Sequence, residues 1–314
     1  MLGTSKGTSS QAQTSSATLN IGGNHVQITN PDKMLFPEMG ITKGRFMQEL
    51  VRLSPYLLPA CEGRYLTTIR YPDGVSGKFF YQKNAPEPTP PYVQTAVSEG
   101  ISYVVLNDIT TLLWLGNLAC IEYHPSLHKV HDPLPTEWII DLDPSVEEEP
   151  RIMEAAALVG DMLKQLGLRS VPKTSGATGV QIVIPIEQGP SFTQLKELGH
   201  VVAAYLCERH PKLFTIERFK KNRGTKIYID YMQHDKGRTI AAPYTPRATR
   251  YASVSMPLTW DEVRRNPMPR DFHLLNAADR LQLTGDLIQL EPKQHIEPVL
   301  EALSSHIAAL QKRR

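Results

Sequence analysis

The chain has 314 residues, 41% of them hydrophobic and 21% charged, with a formal net charge of +2; this is the balance of an ordinary globular protein with room for a substantial core. No apolar stretch approaches the ~20 residues of a membrane span, and the N-terminus lacks the apolar segment of a secretory signal, so a cytoplasmic protein with no membrane partner is expected. Cys61, Cys120 and Cys207 are scattered without Cys-x-x-Cys spacing, which excludes a disulfide framework and a cysteine zinc site and leaves each to pack as a small apolar side chain.

In chain order, residues 1–17 are rich in Ser, Thr, Gly and Gln and are expected to form a disordered tail, because they offer too little apolar surface to offset the entropy of ordering. The folded part, 18–314, opens with the alternating runs Leu19-Asn20-Ile21 and Val26-Gln27-Ile28 around Gly22-Gly23-Asn24, a β-hairpin pattern. A helix is predicted from a Thr42 cap, with Phe46, Leu50, Val51 and Leu53 as its buried stripe. Strands follow at 64–70, 79–83, 103–106, 137–143, 180–186, 226–231 and 238–241. Helices are expected at 150–166, stopped by Gly167, at 193–208 with Tyr205 on its inner face, and at 293–311 with Ile296, Val299, Leu300, Leu303, Ile307 and Leu310 on its apolar face. Several strands are joined by connections too short for helical crossovers, so the fold class is α/β (α+β), with mixed, largely antiparallel sheets flanked by helices.

The chemistry starts with Asp141 and Asp143 at the end of the 137–143 strand. Residues i and i+2 of a strand point to one side, so two carboxylates share a small volume, and like charges that close stay ionised only around something positive. A hard divalent cation fits, taking one or two carboxylates plus substrate phosphates; a plain strand end before the turn at Pro144-Ser145 is the alternative. Asp230 ends another apolar run, behind the basic cluster Arg218, Lys220, Lys221, Arg223 and Lys226, and carboxylates beside cations suit a polyphosphate site. Gln233, Arg238 and Arg247 follow, placed to hold triphosphate and sugar oxygens.

Four other segments are candidates. Asn30-Pro31-Asp32-Lys33 and Lys43 flank a predicted helix start, where free N–H groups and the helix dipole favour a phosphate. Phe79-Phe80-Tyr81-Gln82-Lys83 puts three aromatics beside a cation, so at least one ring faces away from the others and can stack on a nucleic-acid base. Glu122-Tyr123-His124 sets a carboxylate and an imidazole on one side if extended; a structural histidine has the same pattern. Lys173-Thr174-Ser175-Gly176-Ala177-Thr178-Gly179 can bring backbone N–H groups to a phosphate, although a plain turn also uses such glycines.

Taken in order, Asn30-Pro31-Asp32-Lys33 with Thr42-Lys43-Gly44, Leu112-Leu113-Trp114-Leu115 with Glu122-Tyr123-His124-Pro125, Asp141-Leu142-Asp143-Pro144, Lys173-Thr174-Ser175-Gly176, and Asp230-Tyr231-Met232-Gln233 with Pro243-Tyr244-Thr245-Pro246-Arg247 resemble the polymerase domain of bacterial ligase D, of the archaeo-eukaryotic primase superfamily. The resemblance runs from about residue 18 to beyond 260. It implies a primase-like fold and a primase-polymerase that extends DNA ends or fills gaps with (ribo)nucleoside triphosphates, in double-strand-break end joining, at a two-metal site holding Mn²⁺ or Mg²⁺. By position it implies Asp141, Asp143 and Asp230 as catalytic metal ligands, His124 at the nucleotide sugar, Ser175, Arg223 and Arg247 at the triphosphate, and Gln233 at the nucleotide. Asn30, Lys33 and Lys43 take the DNA 5′-phosphate beyond a gap, and Phe80 and Tyr81 stack on the template. The implied partners are DNA with gaps or 5′-phosphorylated ends, nucleoside triphosphates, a Ku-like protein and a separate DNA ligase, since 314 residues leave no room for ligase and nuclease domains; the implied location is cytoplasmic and nucleoid-associated.

The sequence departs from that pattern at Thr178, where the family commonly has lysine, at Gln181, where it has histidine, and at Asn84, where a histidine follows the aromatic pair. A lost cation at the triphosphate motivates a second reading, a module that binds 5′-phosphorylated ends with a weakened polymerase site; Lys173 or Lys221 are the candidates to replace it. A glycosyltransferase using Asp-x-Asp is a third, but it leaves Lys33, Lys43 and Asp230 without a role.

Overall fold

The computed structural model describes residues 16–21 and 23–302. The expected tail lies outside them up to residue 15, and Ser16 and Ala17 begin a strand instead. In chain order, β1 (Ser16–Ile21) and β2 (Asn24–Thr29) form the expected hairpin, and β3 (Met34–Phe36) and β4 (Ile41–Thr42) lead into α1 (Lys43–Cys61). Thr42 caps α1 by accepting the N–H of Arg45 at 3.3 Å, which satisfies one of the donors a helix start leaves open. Phe46, Met47, Leu50, Leu53 and Leu57 form its buried stripe. Val51 is 41% exposed and Tyr205 of the later helix 48%, each about 100° off its stripe rather than on it.

The first sheet is built on β5 (Arg64–Arg70), followed in sequence by β6 (Phe80–Gln82), β7 (Thr95–Ser98), β8 (Ile101–Val105), α2 (Ile109–Asn117) and β9 (Cys120–Lys129). β5 pairs antiparallel with β9 over its length and with β8 and β6 in its first and second halves, while β7 pairs with β8. The second sheet contains β10 (Glu137–Pro144), β11 (Val171–Thr174), β12 (Val180–Pro185), β13 (Phe214–Thr215) and β14 (Ile227–Ile229) in the order β11-β12-β10-β14-β13. Its pairings are antiparallel except for β13 with β14. Helix α3 (Ile152–Gln165) packs on β10 and β12, and α4 (Phe192–Arg209) on β13 and on the turn after β14. The chain then passes through α5 (Trp260–Arg264), α6 (Leu274–Thr284), which packs on α1, and the short α7 (Leu287–Leu290).

Alternation along β10 separates two faces of the second sheet. Trp138, Ile140 and Leu142 enter the main core, whereas Ile139 joins Leu127, Val183 and Ile240 in a small cluster on the other face. Asp141 and Asp143 share the face of Ile139 by the same period of two.

Three expectations change. Residues 238–241 make no strand; they form a strap along β9, with N–H groups of Ile240 and Ala242 donating to carbonyls of Pro125 and Tyr123. The long β9 escapes its pattern because Pro125 interrupts it and its polar residues face a site rather than solvent. The C-terminal helix begins at residue 297 and continues to 302, after buried Ile296; Leu303, Ile307 and Leu310 lie outside the described residues. Cys61 and Cys120 are buried and Cys207 partly so, all as free thiols. No helix among the described residues is long and apolar enough to cross a membrane.

Candidate active site

A row of polar side chains crosses the second sheet. The register pairs Lys173 of β11 with Gln181 of β12, and Gln181 with Asp141 of β10, while the N–H of Asp230 donates to the carbonyl of Asp141 at 2.9 Å. Lys173, Gln181, Asp141 and Asp230 therefore stand side by side, and Asp143 lies two residues along on the Asp141 face. Asp141 is 8% exposed, and its Oδ1 has no hydrogen-bond partner. Burial, then the charges of Asp143 and Asp230, raise its carboxyl well above the usual range, opposed by Lys173 and Gln181. Asp143 is also raised, by burial and Asp230, against the pull of Arg223, Lys220 and Arg247. Asp230 accepts from the Tyr228 hydroxyl at 3.2 Å and from the N–H of Met232 at 3.0 Å, which caps the turn that follows.

A buried carboxylate oxygen without a protein partner beside two further acids fits a bound cation. Among the described residues no three acidic, histidine or cysteine side chains close into a coordination cage. The donors line two adjoining strands instead, which suits a hard cation that completes its sphere with water and substrate oxygens.

Lys173 is fully buried, and its ammonium donates to the Ser255 hydroxyl at 2.7 Å, to the Ala241 carbonyl at 3.1 Å and to Gln181 Oε1. Burial lowers it to about 7, with Asp141 opposing and Arg247 reinforcing the shift. An ammonium with all three hydrogens spent on protein does not replace a cation lost at Thr178. Thr178 instead lines a cavity of about 290 Å³ whose cations are Arg250 and Arg270. Gln181 accepts from this lysine and stands opposite Asp141 in the strand register.

The loop after β11 and the segment 245–255 pack tightly together. Gly176 has φ +72°, and a Cβ there would lie 2.5 Å from Arg247 Cγ and 2.8 Å from the Ser255 nitrogen, so only glycine fits. Ser175 Oγ accepts the N–H groups of Ala177 and Gly179 at 3.2 and 3.1 Å, closing the loop. Arg247 spans the gap to the first sheet: Nη1 donates to the Ser175 carbonyl, and Nε donates to Glu122 Oε2 at 2.8 Å. Glu122 also meets His124 Nε2 at 2.9 Å, and it is held down at about 2: its burial raises it, but His124, Arg247 and the N–H of Ala248 outweigh that. His124 falls below its usual value through burial, with Arg247 and Lys173 reinforcing and Glu122 opposing. Glu122, Tyr123 and His124 thus lie extended, with Glu122 and His124 bonded to each other.

Arg223 stacks 3.9 Å from the centre of the Tyr228 ring and donates to the carbonyls of Glu217 and Arg218, so its own loop holds it beside Asp143. Gln233 is 7% exposed and donates to the Thr239 carbonyl at 3.1 Å, bracing the strap. Lys220 also pulls Asp143 down, after Arg223, and it belongs with the site residues.

Asn30, Lys33 and Lys43 come together at the start of α1. Asn30 has φ 50°, its carbonyl accepts the Lys33 N–H at 3.0 Å, and the Lys33 carbonyl accepts the Lys43 N–H at 2.7 Å. Lys43 is 5% exposed with its ammonium on the Thr29 carbonyl at 2.7 Å; burial, then Lys33, lower it to about 8. Lys33 bridges Asp73 at 3.1 Å. Phe79, just before edge strand β6, and Phe80 and Tyr81 on it are 55%, 43% and 66% exposed. Phe79 stacks on Tyr71 and meets Tyr81 edge-on, while Arg70 lies over Phe80, so both sides of the strand carry rings. Tyr71 in turn reaches Glu122 with its hydroxyl at 3.4 Å, which connects the aromatic edge to Arg247.

Residues 42–288 match the family described as LigD, primase-polymerase domain. The chain is 36% identical over 262 residues to the bifunctional non-homologous end joining protein LigD of Bacillus subtilis (strain 168), covering 83% of this chain and 43% of that protein. It is 30% identical over 290 residues to the multifunctional non-homologous end joining protein LigD of Mycolicibacterium smegmatis, covering 90% and 38%. It thus spans about two fifths of the length of these relatives. The solved polymerase domain of Mycobacterium tuberculosis ligase D in complex with DNA superposes with a TM-score of 0.78 at 27% identity, covering 84% of this chain and 96% of that one. Its fold is the mixed, largely antiparallel one expected from the sequence. With the match spanning most of the chain, the protein belongs to the LigD primase-polymerase domain family, a family of metal-dependent nucleotidyltransferases.

Proposed function

We propose that this protein extends DNA ends and fills gaps with nucleoside triphosphates during non-homologous end joining. The observation that carries the reading is the partnerless Oδ1 of buried Asp141 among three carboxylates, faced by Arg247, Arg223 and Lys220. Asp141, Asp143 and Asp230 would hold Mn²⁺ or Mg²⁺ in a two-metal site. Bound there, the ions supply positive charge to the phosphoryl oxygens and lower the pKa of the attacking 3′-hydroxyl.

The chain's own groups do the rest. Arg247, Arg223 and Ser175 bind and orient the triphosphate, with the guanidinium of Arg247 already fixed by Glu122. His124 meets the sugar, and Gln233 braces the strap that carries the nucleotide's surroundings. Asn30, Lys33 and Lys43 form an anion site for a 5′-phosphate beyond a gap, where two ammonium groups stand close enough for Lys33 to lower Lys43. Phe80 and Tyr81 present exposed rings for template bases. The proposed partners are gapped or 5′-phosphorylated DNA, a Ku-like end binder and a ligase activity, in the cytoplasm at the nucleoid; residues 18–314 act as the catalytic domain.

The test is a labelled primer on a gapped duplex, with and without a 5′-phosphate on the downstream strand, given Mn²⁺ or Mg²⁺ and either ribo- or deoxyribonucleotides. Extension that is stronger with the 5′-phosphate is expected. Binding of the phosphorylated gap without extension under all of these conditions would favour the end-binding module that Thr178 and Gln181 suggest.

A further inference from the structure

Glu122 is 5% exposed, and four donors converge on it. Oε2 meets His124 Nε2 at 2.9 Å and accepts from Arg247 Nε at 2.8 Å; Oε1 accepts from the N–H of Ala248 at 3.0 Å and from the Tyr71 hydroxyl at 3.4 Å. His124 stands two residues away on the same strand, whereas Arg247 arrives from the segment 245–255, 125 residues along the chain. One carboxylate therefore joins two side chains from separate parts of the fold.

The chemistry of the pair is fixed by elimination. An ionised carboxylate has no hydrogen to give, so the hydrogen in its bond to His124 belongs to Nε2. A neutral imidazole carries only one hydrogen, which leaves Nδ1 as a lone-pair acceptor. Nδ1 makes no hydrogen bond to any described residue and is not among the buried polar atoms left without a partner, so it is open to a ligand. Arg247 spends Nε on Glu122 and Nη1 on Ser175, leaving Nη2 without a protein acceptor. The unit thus offers one acceptor and one cationic donor at a fixed separation.

We propose that Glu122 is the positioning residue of this site, holding His124 in the Nε2–H tautomer so that Nδ1 accepts from a sugar hydroxyl, and fixing Arg247 for the triphosphate in the same unit. The proposal rests on the nucleotide reading above and adds the origin of sugar choice. An acceptor rewards a sugar that has a hydroxyl to donate, and deoxyribose lacks the 2′-hydroxyl. Glu122 would therefore favour ribonucleotides without touching them.

Long-range ¹H–¹⁵N spectra of the metal-free, histidine-labelled protein at neutral pH test the tautomer directly, with His124→Ala giving the assignment. The hydrogen is expected on Nε2 in the wild type and spread over both nitrogens in Glu122→Gln. Titration with ATP and with dATP in the presence of Mn²⁺ should show the ATP preference falling about tenfold in Glu122→Gln, the worth of one hydrogen bond. A role in folding alone would change neither the tautomer nor this ratio. A wild-type hydrogen on Nδ1 overturns the proposal, as does a folded Glu122→Gln that keeps both the tautomer and the ratio. If Glu122→Gln fails to fold, the wild-type tautomer decides. A wild type with the Nε2–H tautomer that binds neither nucleotide overturns the nucleotide reading and supports the tautomer assignment.

Discussion

The acidic row of the second sheet and the basic cluster at the start of α1 are built with opposite imbalances. In the first, burial and mutual repulsion raise Asp141 and Asp143, and Asp141 Oδ1 is left without a donor. In the second, burial and Lys33 push Lys43 down to about 8. Each region is less stable alone than it would be with an ion of opposite charge, so each reads as half of a complex. Selectivity follows from that difference: the acids are fixed by strand register around a small volume, whereas at the helix start a partly exposed Lys33 stands over a buried Lys43, an arrangement a larger anion can reach from the Lys33 side.

The largest break in this comparison comes from the acids. Asp141→Ala or Asp230→Ala should reduce primer extension by at least about a thousandfold, the scale of losing a preorganised charge in an active site, with circular dichroism unchanged. Combining Lys33→Ala with Lys43→Met should leave extension of an open primer intact and weaken binding of a 5′-phosphorylated gap about a hundredfold, read by fluorescence anisotropy. Equal loss on gaps with and without the phosphate would remove the distinction between the two regions.

Stability against pH sharpens it, because the signs oppose. An acid with a raised folded pKa binds more protons folded than unfolded between the two values, so metal-free stability falls as pH climbs from about 4, the ordinary value of 3.8, into the raised range. Asp141→Asn should flatten this fall, and Mn²⁺ should reverse it. A lysine with a lowered folded pKa gives the opposite slope: stability rises between about 8 and 10.5, by on the order of 3 kcal/mol, and Lys43→Met should abolish the rise in urea melts. The smallest effect is expected at the aromatic edge, where Tyr81→Ala should weaken template binding about tenfold, consistent with loss of one stacked base.

Much of the acidic region was legible in sequence, because a strand's period of two places Asp141 with Asp143 and the apolar run before Asp230 ends at the adjoining strand. The helix start at Thr42 was legible for the same local reason, a capping hydroxyl before an apolar stripe. What stayed hidden depends on contacts between distant segments. Nothing near Glu122 in sequence announces Arg247, and Lys173 looks like a loop cation until the sheet register buries it against Gln181 and the strap covers it. β9 is hidden in the sequence because Pro125 breaks its pattern, and 238–241 has a strand's composition because a strap lying along β9 needs the same apolar residues.

The central question is whether the three aspartates support nucleotidyl transfer. Wild type and Asp230→Ala should be compared on one gapped, 5′-phosphorylated duplex with a labelled primer, Mn²⁺ and all four ribonucleoside triphosphates. Products longer than the primer are expected from the wild type and none from the variant; an inactive wild type, or equal products from both, would refute nucleotidyl transfer at these aspartates.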